Sequence, residues 1–230
     1  MIKNISVFFP AYNEEKNIEK TVKEAEKTLK GLKLNYEIII IDDGSLDKTP
    51  QITDDLASSG SKVRVIHHPK NLGYGGALKT GFKNAKFPWV AFTDSDGQFD
   101  FGEITFFLEK TDWADLILGY RLNRNDSISR KVFTFGWALI VRVLLGLKVK
   151  DYSCGFKLIK KEVFDTVEPL HTEEKVTQIE FLVKAKKAGF KFAEIGVHHY
   201  TRVFGAETGA NINVVIKSIV DLFKLWWQLK

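Results

Sequence analysis

Apolar residues along this chain follow two alternating rhythms. Short unbroken runs, Ile5 to Phe9, Tyr36 to Ile41, Val63 to Ile66 and Trp89 to Phe92, read as strands buried on both faces. Between them the apolar positions fall at helical spacing. Ile18, Val22, Ala25 and Leu29 make one stripe, predicting a helix with Asn13 as N-cap, Glu14 and Glu15 at its positive end and Gly31 closing it. Thr49-Pro50 opens a second helix to about Ser59, and Ala77 to Ala85 forms a third. This order, strand then helix three times over and a fourth strand, predicts a doubly wound, mostly parallel α/β sheet.

The later chain keeps the same grammar with more irregularity. Helices are predicted over Glu103 to Lys110, Ser129 to Leu147 and Thr177 to Lys187. Strands are predicted over Asp115 to Tyr120 and Phe192 to Val197, with Tyr152 to Ile159 a strand or a turn into one. The last helix, Ile212 to Lys230, is amphipathic: Lys217, Asp221, Lys224 and Gln228 share one face, and Val215, Ile216, Ile219, Leu222, Phe223, Trp226 and Trp227 fill most of the rest. Such a face packs on its own domain or a partner chain, or lies in a membrane interface, where a tryptophan pair and lysines are at home.

Composition narrows the classes. The 230 residues are 44% hydrophobic, with a net charge of +5 and a pI near 9.1. That balance suits anionic ligands or an anionic membrane surface and lacks the dense basic patch of a nucleic-acid binder. One cysteine, Cys154, excludes an intrachain disulfide and a cysteine metal cluster and fits a reducing compartment. Residues 2–4 run straight into a strand, so no signal peptide is expected. No uncharged apolar run approaches the ~20 residues of a membrane span.

In a doubly wound sheet ligands bind at the carboxyl ends of strands. Three strands here end in polar sequels: Pro10-Ala11-Tyr12, Asp42-Asp43-Gly44-Ser45 and Asp94-Ser95-Asp96-Gly97-Gln98. They are expected to share one edge. Asp94 and Asp96, at i and i+2, point the same way if the strand persists, and with Gln98 they offer hard oxygen ligands to a divalent cation. Taken alone, the stretch is equally a solvated turn. The glycine-rich loop Pro69 to Gly76 fits neither a P-loop nor a dinucleotide fingerprint. The pairs His67-His68 and His198-His199 lie on or just after strands, where adjacent side chains face opposite ways, so neither is a natural chelate.

These stretches together resemble the family 2 glycosyltransferases of GT-A fold, closest to polyprenyl-phosphate (dolichol-phosphate-type) sugar synthases. The resemblance continues through Asn71 to Ala77, Gly119-Tyr120-Arg121, Asp151 to Lys157, Gln178-Ile179-Glu180 and Arg202 to Gly205. It implies a Rossmann-like catalytic domain over residues 1–205, with a donor half to about 100 and an acceptor half from about 101, followed by the amphipathic helix at 206–230. It implies a donor site of Pro10, Tyr12, Glu14, Asp42, Asp43, Gly73, Asp94 and Ser95. Mg or Mn would be held by Asp94, Asp96 and Gln98, and the acceptor phosphate by Arg121, Arg130 and Arg202.

The reaction so implied is inverting transfer of a hexose from a nucleotide sugar (GDP-mannose or UDP-glucose type) to a polyprenyl phosphate. The protein would be cytoplasmic and peripheral to the inner face of the membrane, as a homo-oligomer or with a membrane-protein partner. A phosphate acceptor, with its second pKa near ~6, needs no general base. A saccharide hydroxyl would need one, with Glu180 the candidate and Asp96 after it. A sugar-1-phosphate nucleotidyltransferase and a non-catalytic nucleotide-sugar-binding subunit are the competing readings.

Overall fold

The computed structural model describes residues 2–59, 62–122, 128–172, 176–204 and 212–229; of residues 128–135 and 212–219 it describes the backbone alone. Seven strands form one sheet: β1 (Asn4–Ala11), β2 (Asn35–Asp42), β3 (Val63–His67), β4 (Trp89–Phe92), β5 (Leu116–Arg121), β6 (Lys157–Lys160) and β7 (Phe192–Val197). Their order across the sheet is β3-β2-β1-β4-β6-β5-β7. Only β6 runs antiparallel to its neighbours, β4 and β5.

Both faces of the sheet are covered, as the unbroken apolar runs require. In β2, Ile38 and Ile40 enter one core and Ile39 and Ile41 the other, all with no exposed surface. The first core takes its helical side from α1 (Ile18–Gly31), through Ile18, Val22, Ala25 and Leu29, and from α4 (Ile104–Leu108), with Leu56 of α2 (Thr49–Ser59) at its margin. The second is filled from α3 (Gly73–Asn84), α6 (Lys161–Val167) and α7 (Val176–Lys187). Stacked Phe82 and Phe164 rings, 4.8 Å apart, sit at its centre. The approach of α3 is set by Gly81, where an added Cβ would lie 2.4 Å from the Phe8 ring.

Two sequence expectations change. The first helix starts at Ile18, and Asn13 has φ of 55° in place of an N-cap geometry. The reason is non-local: the N–H groups of Asn13, Glu14 and Glu15 bond Ser45 Oγ (2.9 Å), Thr49 Oγ1 (2.8 Å) and Asp47 Oδ2 (3.2 Å). The loop after β1 is thus stitched to the loop after β2. Tyr152 to Ile159 is a turn into a strand, one of the two forms expected, but a helix, α6, follows that the apolar pattern did not mark. The C-terminal α8 (Ile212–Gln228) packs on α7 and on α5 (Ile128–Leu145), with Leu222 and Leu225 fully buried in the shared core.

The outer sides of these two helices mix apolar and polar residues, with Arg142, Lys224 and Gln228 exposed. Leu139, Ile140 and Val143 on α5 and Val220, Phe223 and Trp227 on α8 are exposed. Among the described residues, no helix is long and apolar enough to cross a membrane.

Candidate active site

The chain moves outward from β1 through β2 to β3, then returns to place β4 on the other side of β1. This reversal is the switch point at which open α/β sheets form a crevice outside the strand ends. The sequels to β1, β2 and β4 meet there.

Beyond β4 the alternation of side chains continues for three residues. Ser95 turns inward, fully paired, and donates to the Pro10 carbonyl at 2.7 Å. Asp94 and Asp96 take the opposite side. Asp94 Oδ1 accepts from the Tyr74 hydroxyl at 3.0 Å. A Cβ at Gly155 would fall 2.1 Å from Asp94 Oδ2, so only glycine leaves that carboxylate its place. Asp96 Oδ1 accepts the Gln98 N–H at 3.1 Å, and its Oδ2 lies 3.5 Å from Arg202 Nη1. Arg202 also holds Glu14 Oε1 at 2.6 Å, and Asn17 Nδ2 holds Glu14 Oε2 at 2.7 Å.

Arg202 thus bridges two carboxylates, Glu14 and Asp96, and Asp94 is near enough to act on Asp96. Burial first, then the nearby Asp94 and Glu14 carboxylates, raise the Asp96 carboxyl to about 7 against the pull of the Gln98 N–H and Arg202. Burial and the Asp94 charge raise the Tyr74 hydroxyl well above its usual value, which keeps it a donor. Hard carboxylate oxygens, one of them held on a carboxyl pushed toward keeping its proton, fit Mg or Mn. Among the described residues no group of three or more His, Cys, Asp or Glu side chains is arranged to hold a metal alone. A cation here would complete its shell with oxygens from a ligand.

Arg202 reaches the site on the segment after β7. That segment is pinned by Gln98, whose Nε2 donates to the Tyr200 carbonyl and whose own carbonyl accepts the Tyr200 N–H, both at 2.8 Å. The amide nitrogen of Gln98 thus holds a loop, a task beside the metal ligation expected of its oxygen. His198 is anchored beside it by Glu103 through its N–H and ring Nδ1. After β2, Asp42 and Asp43 are both nearly buried. Gly44, at φ of 70°, presses against the Lys70–Asn71 backbone, where a Cβ would sit 2.5 Å from Lys70 C. Gly73, at φ of 78°, opens α3 and donates its N–H to Asn71 Oδ1 at 2.9 Å. Tyr12 stays partly exposed at the rim, whereas Pro10 is buried and offers only its carbonyl, to Ser95.

Several expected roles do not match these placements. Ser95 faces the strand backbone, away from a donor site. Glu14 is engaged by Arg202 and Asn17. Arg121 spends Nε and Nη2 on Asp151 (2.7 and 3.1 Å) and Nη2 also on Ser153 Oγ (2.9 Å), bracing the turn before Gly155. Arg202, by contrast, stands inside the acidic cluster, where a phosphate could reach it. Glu180 has no exposed surface. It caps the backbone N–H groups of His171 and Thr172, takes the Thr172 hydroxyl and pairs with Lys184 at 2.7 Å. Burial alone would raise its carboxyl, but the Lys184 contact and these hydrogen bonds outweigh burial and hold it below the usual range. That suits a structural cap and not a general base. The Arg130 side chain and Gly205 lie outside the described residues.

Sequence reasoning passed over Asn17, and it marked the stretches holding Tyr74, Asp151, Gly155 and Lys157 without giving these residues a role. Lys157 is buried and bonds the Cys154 carbonyl and Gln178 Oε1, tying the turn that carries Gly155 to α7. Cys154 beside it is fully buried, its thiol pushed up to about 11 by burial. An isolated lysine in an apolar run and a lone glycine after a cysteine carried a weak signal at best.

The sequence profile described as Glycosyl transferase family 2 matches residues 6–168. The chain belongs to this family. It is 32% identical over 223 residues to the dolichyl-phosphate beta-glucosyltransferase of Dictyostelium discoideum, covering 88% of this chain and 68% of that protein. It is 30% identical over 234 residues to the glycosyltransferase AglD of Haloferax volcanii, covering 98% of this chain and 37% of that one. To the undecaprenyl-phosphate 4-deoxy-4-formamido-L-arabinose transferase of Pectobacterium carotovorum it is 30% identical over 206 residues, 89% of this chain and 62% of that one. Glucosyl-3-phosphoglycerate synthase from Mycobacterium tuberculosis, crystallised with Mn2+ and UDP-glucose, superposes with a TM-score of 0.73 at 21% identity over 96% of this chain and 79% of that one. The fold is GT-A, as the sequence pattern and its resemblance implied.

The close fit of Gly155 gives a direct test of the site. Gly155→Ala is expected to push the Asp94 carboxylate aside and lower glycosyl transfer roughly 10²-fold, the scale of a 1 Å misplacement. The thermal melting curve should stay near that of the wild type. Full activity in the variant would show that the Asp94 position is unimportant.

Proposed function

We propose that this glycosyltransferase moves a hexose from a nucleotide sugar to a polyprenyl phosphate at the cytoplasmic face of a membrane. The observation that carries the reading is the under-compensated Asp94–Asp96 pair at the switch point, in a family whose named relatives include polyprenyl-phosphate sugar transferases. The nucleoside would lie over the ends of β1 and β2, near Tyr12 and Asp43, and the diphosphate beside Asp94 and Asp96.

The bond from the anomeric carbon to the diphosphate breaks as an acceptor phosphate oxygen attacks from the opposite side. Mg or Mn, bound through Asp96 and its neighbour, would supply positive charge to the departing diphosphate. Asp96 must shed its proton to serve as a ligand, and Tyr74 keeps Asp94 oriented beside it. A phosphate dianion attacks without a base, which agrees with the structural engagement of Glu180. Arg202, whose guanidinium already bridges Glu14 and Asp96, is within the same pocket to meet incoming phosphate oxygens.

Attachment to the membrane would use the exposed apolar side chains of α5 and α8, beside the exposed cations Arg142 and Lys224, the mix an interfacial helix presents to anionic lipid. Replacing Phe223 and Trp227 together by Ser should weaken binding to anionic lipid vesicles at least about tenfold, given the burial energy of two aromatic side chains. Unchanged flotation with vesicles would remove this surface from the proposal.

The reaction itself is tested by offering UDP- and GDP-sugars with a polyprenyl phosphate in detergent and Mn2+ or Mg2+. One sugar should be transferred to the lipid, and Asp96→Ala should lose more than about 10²-fold of the rate, the worth of a metal-held leaving group. Donor binding with transfer only to a hydroxyl acceptor would overturn the lipid-phosphate reading, and Asp96 would then be the remaining candidate base.

A further inference from the structure

The chain carries two adjacent aspartates after β2 and two adjacent histidines at the end of β3, and the structure pairs them one to one. His67 Nδ1 meets Asp42 Oδ2 at 2.7 Å, and His68 Nδ1 meets Asp43 Oδ1 at 2.6 Å. Because neighbouring strand residues face opposite ways, the two pairs lie on opposite sides of the strand ends. They are not equivalent. Asp42 uses both oxygens, Oδ2 on His67 and Oδ1 on the Ser45 N–H at 3.1 Å. Both described bonds of Asp43 fall on Oδ1, from His68 and from the Leu72 N–H at 2.9 Å. Oδ2 of Asp43 is the oxygen left for a ligand.

The His68 ring is itself fixed. It is 9% exposed, and its Nε2 meets Thr80 Oγ1 on α3 at 2.9 Å. A carboxylate only accepts, so Nδ1 must carry the hydrogen, and the Thr80 hydroxyl serves either state of Nε2. Thr80, His68 and the Leu72 N–H together hold Asp43 in a single rotamer.

We propose that His68 is a positioning residue for the donor: by occupying Oδ1 of Asp43 it reserves Oδ2 as a fixed acceptor for an N–H or O–H of the nucleoside. Asp42 is then the brace of the turn and Asp43 the nucleoside contact. The inference rests on the nucleotide-sugar reading above and adds the residue that orients the contact. It also states the class of group recognised. A carboxylate oxygen held in place as an acceptor selects a hydrogen-bond donor on base or ribose, and does so without an ordering cost at the moment of binding.

The test uses two substitutions of the same character. In His68→Asn the side-chain amide nitrogen can take the place of Nδ1 and still donate to Asp43. In His68→Gln it reaches toward the Nε2 position and Thr80. The expected result is a donor KM within about threefold of wild type for His68→Asn and at least tenfold higher for His68→Gln, with kcat at saturating donor little changed in both. The Kd of the matching free nucleoside diphosphate, measured by calorimetry without acceptor, should rise by the same factor in His68→Gln. Equal behaviour of the two variants, or a loss confined to kcat, would overturn the positioning role. Wild-type protein that binds neither UDP nor GDP would overturn the nucleotide reading, and this inference with it. Wild-type binding together with unaltered binding in His68→Gln overturns the inference alone.

Discussion

The arrangement at the strand ends depends on a concentration of negative charge that the fold itself leaves only partly balanced. Asp94, Asp96 and Glu14 converge where β1 and β4 end, and Arg202 is the guanidinium that reaches between two of them. Like charges held together in a partly buried pocket destabilise one another, and one of them tends to keep a proton. The cost is sustained by rigid surroundings. Ser95 ties β4 to β1, Tyr74 holds Asp94, Gly155 leaves it room, and Gln98 with Tyr200 brings Arg202 into place. A divalent cation and a diphosphate together complete such a site, since each supplies what the other lacks.

The strands were legible because each is buried on two faces, which leaves unbroken apolar runs that admit few other readings. The boundaries of β4 and β7 fall where the runs begin and end. Asn13 misled for a definite reason: its local sequence is a good helix cap, but hydroxyls and carboxylates from residues 45–49 claim the same N–H groups. Local propensity lost to a non-local bond. The edge shared by Pro10, Asp43 and Asp94 was equally readable, because parallel topology decides which ends align.

What the sequence could not show was which polar side chain turns toward which. Ser95 and Asp96 are neighbours with opposite tasks, decided by the pleat of a strand that ends three residues earlier. Arg121 and Glu180 sit in stretches that look functional, yet each is engaged by a partner far along the chain, Asp151 and the His171–Thr172 backbone. Tyr74 and Gly155 stood in stretches the resemblance marked, but their contact with Asp94 was not legible, because no spacing rule connects a helix start and a turn to it.

The central claim is that Asp96 is a carboxyl kept ready for a cation, and the binding of Mn2+ as a function of pH tests it most directly. Without the cation Asp96 carries its proton below about 7, and the cation requires the carboxylate. Affinity for Mn2+, followed by electron paramagnetic resonance with a nucleoside diphosphate present, should be level above pH 7 and fall as the pH drops from 7 to 5.5, by up to about tenfold per unit. The fall should exceed that set by the diphosphate's own titration near pH ~6, and this excess should vanish in Asp96→Asn, whose affinity is low throughout. Mn2+ binding that is independent of pH over this range, or unweakened in Asp96→Asn, would contradict the account.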